Sequence, residues 1–304
     1  MIVVIIILVL VIIISFICYY ITFYSPHRGD GNHYSVPSGE QYQCIKSTMR
    51  RLIDEFLELD SEEIEIISRD GLKLSGKYYH VCDGAPVDIC FHGYRGTAAR
   101  DFCGGARIPL EMGHNMIVVD QRAQGKSQGH SICFGIKERY DCLSWINYVL
   151  CRFGMGTRIH IFGVSMGAAT VLMAAGLGLP ENVRCVIADC PYSEVPAIIR
   201  KVCRDRKLPD TLFYPFIWLG AYLFAGIKLE DGDCVNAVKN SSVPMLIIHG
   251  EEDHFVPCYM SHEIHNSRPD IVSLSTFPGA GHGISYIVDK PRYEKLVHDF
   301  IKNL

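Results

Sequence analysis

The sequence predicts an α/β fold: an eight-stranded, mainly parallel sheet with helices on both faces, a helical cap, and an N-terminal transmembrane helix. Three observations carry this prediction. From residue 60 onward, short apolar runs alternate with longer helical stretches, which suits β-α-β crossovers. More than fifty residues, 189–243, then break the alternation with no strand of their own. The first residues form a long apolar run of their own.

That run covers positions 2–23, carries no charge and is almost all Ile, Val and Leu. A bilayer takes about 20 such residues to cross. No basic residue precedes the run and no A-x-A-like site follows it, so a membrane anchor is expected rather than a cleaved signal peptide. The basic residues Lys46, Arg50 and Arg51 follow the span and favour a cytoplasmic main domain. Positions 25–43 are polar and rich in Gly, Pro, His and Asn, as in a linker. Next, Ile45, Met49, Leu52, Ile53, Phe56 and Leu57 fall at helical spacing. The expected organisation is an anchor over 1–24, a linker with an amphipathic helix over 25–59, and a main domain over 60–304.

Within that domain the expected strands are 64–68, 72–80, 87–91, 115–120, 158–163, 183–188, 245–249 and 272–277. The first two flank Arg69-Asp70-Gly71 and should form a hairpin. The insertion, about 192–240, contains Phe213, Tyr214, Phe216, Trp218, Tyr222 and Phe224. It is too long and oily for a bare loop, so a helical cap over the strand ends is expected. Some of its aromatics are expected to line an apolar tunnel.

Composition excludes several classes. Of 304 residues, 49% are hydrophobic and 20% charged, too apolar for a disordered chain. A net charge of −4 with no basic stripe argues against nucleic acid as a partner. The 13 cysteines are odd in number and lack C-x-x-C spacing. Free thiols in a reducing compartment are the expected state, with no structural zinc.

The chemistry is carried by a G-x-S-x-G pattern, which marks a serine on a strained turn between a strand and a helix. The chain has two matches. Ser127 sits in Gly125 to Gly129 after a polar loop, and no helix follows it. Ser165 sits in Gly163 to Gly167, after an apolar strand and before the buried stretch Ala168 to Ala175. Only Ser165 has the required context, so Ser127 is expected to be a structural loop serine.

A serine hydroxyl needs a base, and the base an orienting acid, in the chain order serine, acid, histidine. Glu251, Glu252 and Asp253 follow the strand ending at His249. His282 stands alone between glycines after the last strand. The expected triad is Ser165, Asp253 and His282. The oxyanion should be held by the N–H of Met166, which follows the serine, and by that of Tyr94 in the glycine-rich loop His92 to Gly96.

With these segments the chain resembles the α/β-hydrolase superfamily, in the branch of serine aminopeptidases and monoacylglycerol lipases. It looks particularly like small bacterial membrane-anchored hydrolases of that branch. Asp120 to Ser127 resembles the family's D-x-R-G-x-G-x-S loop, a structural brace, with Ala123 where glycine is usual. His249 to Pro257 matches H-G-x-x-D-x-x-V-P, which selects Asp253 over both glutamates. The resemblance implies a serine hydrolase acting on small or lipid-like carboxylic esters, with aminopeptidase or amidase activity as the alternative. A catalytically silent binding module on the same scaffold is a further one. No cofactor or metal is implied.

Overall fold

The computed structural model describes residues 1–26, 33–34 and 40–304. Much of the expected linker therefore lies outside the described residues. Eight strands form one sheet: β1 (Glu62–Ile67), β2 (Lys73–Tyr79), β3 (Val87–Phe91), β4 (Asn115–Val119), β5 (Ile159–Val164), β6 (Val183–Asp189), β7 (Met245–Gly250) and β8 (Val272–Phe277). Their spatial order is β1-β2-β4-β3-β5-β6-β7-β8. β1 and β2 pair antiparallel, β2 meets β4 antiparallel, and all later pairs are parallel. All eight expected strands are present, with ends shifted by at most two residues.

β3, β4 and β7 are buried on both faces, as parallel strands sandwiched by helices must be. Alternation along each strand separates two cores. Ile89, Phe91, Ile117, Ile161 and Ile247 pack with Trp145 and the helix Met166–Ala175. Cys90, Val118, Phe162, Ile187 and Ile248 face the other way. They share their core with Leu52, Ile53 and Phe56 of the helix Lys46–Leu57, and with Val297 and Ile301 of the C-terminal helix Lys290–Lys302.

The loop after β4 braces the β2 side of the sheet. Buried Arg122 grips Asp141 through two hydrogen bonds of 2.6 Å and Asp70 through two more at 2.9 and 3.1 Å. Ala123 takes a left-handed φ of +61°, so the turn keeps the conformation for which glycine is the easier residue.

The insertion between β6 and β7 is helical. It holds helices Val195–Asp205, Asp210–Gly220 and Cys234–Lys239, with a wide turn at Ala221–Ala225. Of the six aromatics expected to include tunnel-lining residues, only Tyr214 is buried. Tyr222 and Phe224 face outward.

The N-terminal helix Ile2–Thr22 has a mean hydropathy of 3.5, long and apolar enough to cross a membrane. The expected organisation sets an anchor over 1–24 apart from a main domain over 60–304. The structure differs. Phe23 is fully buried in the main core, and Tyr19 is buried beside it. The backbone of Ile132 donates to the carbonyl of Phe23 at 2.8 Å, and that of Ser25 to His130 at 2.9 Å. The helix packs along Asp210–Gly220 of the cap. No charge pattern in the helix marks this docking, because its contacts are apolar, are made by its backbone carbonyls, or come from the Tyr19 hydroxyl, 2.8 Å from that of Ser131.

Candidate active site

Ser165 sits between β5 and the helix Met166–Ala175, with φ +55° and ψ −114°. Such a conformation costs about 1–3 kcal/mol and is accommodated because the residues two positions either side, Gly163 and Gly167, are glycines. A Cβ on Gly167 would lie 1.9 Å from the Phe91 carbonyl oxygen, and one on Gly163 would lie 2.3 Å from Gly167. The Ser165 N–H donates to the Asp189 carbonyl at 2.8 Å, which ties the turn to the end of β6.

The structure brings Ser165, His282 and Asp253 together from loops after three different strands. The Ser165 hydroxyl lies 2.9 Å from His282 Nε2, and His282 Nδ1 lies 2.6 Å from Asp253 Oδ2. A carboxylate accepts only, so Nδ1 carries the proton and Nε2 is left to accept from the serine. Asp253 Oδ1 accepts the backbone N–H groups of Phe255 at 2.9 Å and Val256 at 2.7 Å. Burial works to raise the Asp253 carboxyl. The neighbouring imidazoles of His282 and His249 outweigh it and hold the group well below the usual carboxylate range.

The loop after β3 abuts the serine: a Cβ on Gly93 would lie 3.4 Å from the Ser165 Cβ. Neither the Tyr94 N–H nor the Met166 N–H is used in a hydrogen bond among the described residues. Both are therefore available to a ligand oxygen. Ser127, the other G-x-S-x-G serine, is buried. Its hydroxyl donates to the Asp120 carbonyl at 2.5 Å and accepts the Ser75 N–H at 2.9 Å, so it stitches β2 to the brace loop. Glu251 and Glu252 are exposed.

Several positioning residues escape sequence reading. Asp101 accepts the Gly93 N–H at 2.7 Å and is paired with Arg100 at 2.7 Å. His249 places Nε2 3.2 Å from Asp253 Oδ2 and 2.8 Å from the Val256 carbonyl. The Tyr42 hydroxyl donates to the His282 carbonyl at 2.9 Å. Fully buried Asp189 accepts from the Tyr293 hydroxyl at 3.0 Å through Oδ2, while Oδ1 has no partner among the described residues. Burial pushes its carboxyl up to about 6. Spacing signals none of these, since each partner comes from a distant element.

Two groups of described residues have the donor types of a metal site. Cys190 lies beside Asp253 and His282. Asp88, His114 and His160 form a buried trio under the sheet. In the trio both imidazoles place Nδ1 on Asp88, at 3.1 and 2.6 Å, so each carboxylate oxygen has one imidazole partner.

The strand order, the strained serine turn and the Ser-His-Asp geometry are those of the α/β-hydrolase fold. A family model described as the alpha/beta hydrolase fold matches residues 89–215. The chain is 23% identical over 256 residues to the Bacillus subtilis protein YqkD, covering 83% of each. It is 26% identical over 239 residues to the lysophosphatidylserine lipase ABHD12 of Xenopus tropicalis, covering 72% of this chain and 58% of that one. Among solved structures it is similar to the Pyrococcus furiosus esterase Pf2001, with a TM-score of 0.66 and 25% identity. That match covers 82% of this chain and 93% of the esterase.

Proposed function

We propose that the protein is a serine hydrolase that cleaves carboxylic esters by acyl transfer, on small or lipid-like acyl substrates. The observation that carries this reading is the unbroken hydrogen-bond chain Ser165–His282–Asp253 at 2.9 and 2.6 Å, set on a strained elbow. Esterase and lipase among its neighbours support the substrate class.

Ser165 Oγ attacks the ester carbonyl as His282 Nε2 takes its proton. The oxyanion forms against the N–H groups of Tyr94 and Met166. Collapse breaks the acyl–oxygen bond, and the alcohol leaves with the proton from His282. Water, deprotonated by His282, then attacks the acyl-enzyme, and the carboxylic acid departs as Ser165 recovers its proton. Asp253 holds the tautomer and stabilises the charged imidazole.

The helix Ile2–Thr22 is the membrane anchor in this reading. A cytoplasmic placement of the site is supported by all 13 cysteines being free thiols. Labelling with a fluorophosphonate probe tests the chemistry: modification of Ser165 with loss of ester hydrolysis is expected. An unlabelled, folded protein would refute it. Sedimentation with membranes tests the anchor.

A further inference from the structure

The N-terminal helix and the cap form one surface. Residues 2–10 of the helix are exposed on every side. From Val11 onward one face turns to the domain, with Ser15 and Tyr19 buried. The contact is close: a Cβ on Gly220 would lie 2.4 Å from the Ser15 carbonyl oxygen and 3.1 Å from the Tyr19 Cβ. Any larger side chain at Gly220 would push the cap off the helix. Beside this crossing, Phe224 of the cap meets Phe16 and Tyr19 at ring distances of 5.1 and 5.4 Å.

Length now sets depth. Nine free residues at 1.5 Å each reach about 14 Å, whereas the hydrocarbon core is about 30 Å thick. The whole helix crosses only if its second half, the half clasped by the cap, also lies at hydrocarbon depth. The cap flank there is apolar. Leu212 is 57% exposed, Tyr222 48%, Leu223 49% and Phe224 37%. Exposed apolar side chains of this kind are costly in water and suited to lipid. Trp218 stacks on Tyr222 at 5.6 Å, an aromatic pair of the kind that favours the membrane–water interface. Exposed Arg206 and Lys207 lie in the turn before the helix Asp210–Gly220, which suits anionic headgroups.

We propose that this cap face is a membrane-docking surface, sunk in the near leaflet beside the N-terminal helix. The active site then receives its acyl substrate directly from the lipid layer. The inference rests on the anchor and hydrolase readings above, and it goes beyond a tether. A tethered domain would hang free in water, whereas this one sits with its cap in the bilayer.

The full chain, reconstituted into phosphatidylcholine vesicles with and without brominated acyl chains, provides the test. The chain has two tryptophans. Trp145 is in the core, so the difference between wild type and Trp218→Phe isolates Trp218. Brominated lipid should remove most of the Trp218 emission. Sedimentation with the vesicles while Trp218 stays unquenched would leave the anchor standing and overturn the docking, whereas failure to bind the vesicles at all would overturn both. This readout needs no activity, so it stands or falls apart from the hydrolase chemistry. A second arm uses Leu212→Lys with Leu223→Lys, both at exposed positions. Hydrolysis of a short soluble ester in detergent should be unchanged, while hydrolysis of a vesicle-borne ester should fall at least about tenfold, given the cost of charge in hydrocarbon. Equal loss on both substrates, or no loss on either, would overturn the proposal.

Discussion

The Tyr94 hydroxyl donates to the carbonyl of Thr22 at 2.8 Å, across 72 positions of sequence. This bond ties the loop that supplies the proposed oxyanion donor to the last turn of the N-terminal helix. Arg95 adds hydrogen bonds to the carbonyls of Ile21 and Tyr24 at 3.1 and 3.0 Å. The Tyr94 ring stacks on Phe134, which in turn meets Phe23 edge-on.

Removing the N-terminal helix should therefore damage the proposed hydrolase activity as well as remove the proposed anchor. A chain starting at residue 43 loses fully buried Phe23, worth about 3–5 kcal/mol as a large-to-small loss, and the tether on Tyr94. Lower thermal stability and lower kcat/KM on a soluble ester are expected. Tyr94→Phe keeps the backbone N–H and loses one hydrogen bond, so it should cost only about 0.5–1.5 kcal/mol. Full activity and unchanged melting of the truncated chain would refute this coupling.

The two G-x-S-x-G serines should separate cleanly. Ser165→Ala should lower ester turnover at least about a thousandfold, because the triad acts as a unit, with melting close to wild type. Ser127→Ala should leave the site chemistry in place and lower stability by about 1–3 kcal/mol, since it strands the Ser75 N–H in a buried position. Turnover and melting curves of both variants decide between them.

Asp253→Asn should lower kcat by orders of magnitude, because the amide presents the wrong partner to His282 Nδ1. Glu251→Gln and Glu252→Gln should matter little, as both side chains are exposed. The Asp253 carboxyl is held far below the usual range by the two imidazoles despite its burial, so its own protonation should not shape the acidic limb of the activity profile. A crippled Glu252→Gln protein would reassign the acid.

Asp189 should leave a mark on stability. Burial raises its carboxyl from 3.8 to about 6, so the unfolded chain releases this proton first as pH rises. Between about pH 4 and 6 the folded state holds the extra proton. Its stability falls through that window by up to about 3 kcal/mol and stays lower above it. Asp189→Asn keeps an acceptor for Tyr293 and removes the charge. The fall should vanish from denaturation midpoints measured across this range, leaving the variant more stable than wild type at pH 8.

The eight strands, the elbow at Ser165 and the loops that carry Asp253 and His282 were all legible in the sequence. The reason is that each rests on local pattern. Parallel strands between two helical layers read as short apolar runs, and a strained turn demands glycines two residues either side of the serine. The helical nature of the insertion was legible too, from its length and lack of strands. What depends on distant pairing was decided only by tertiary structure. Asp101 on Gly93, His249 on Asp253 and Tyr42 on His282 are single hydrogen bonds between remote elements, and no periodicity reports them. The largest difference lies at the N-terminus. An apolar helix reads the same whether it is a free tether or a docked one, because lipid and protein interior both select for Ile, Leu and Val. Gly220 against Ser15 and Thr22 against Tyr94 settle that ambiguity, through a backbone approach and a carbonyl that carry no side-chain signature.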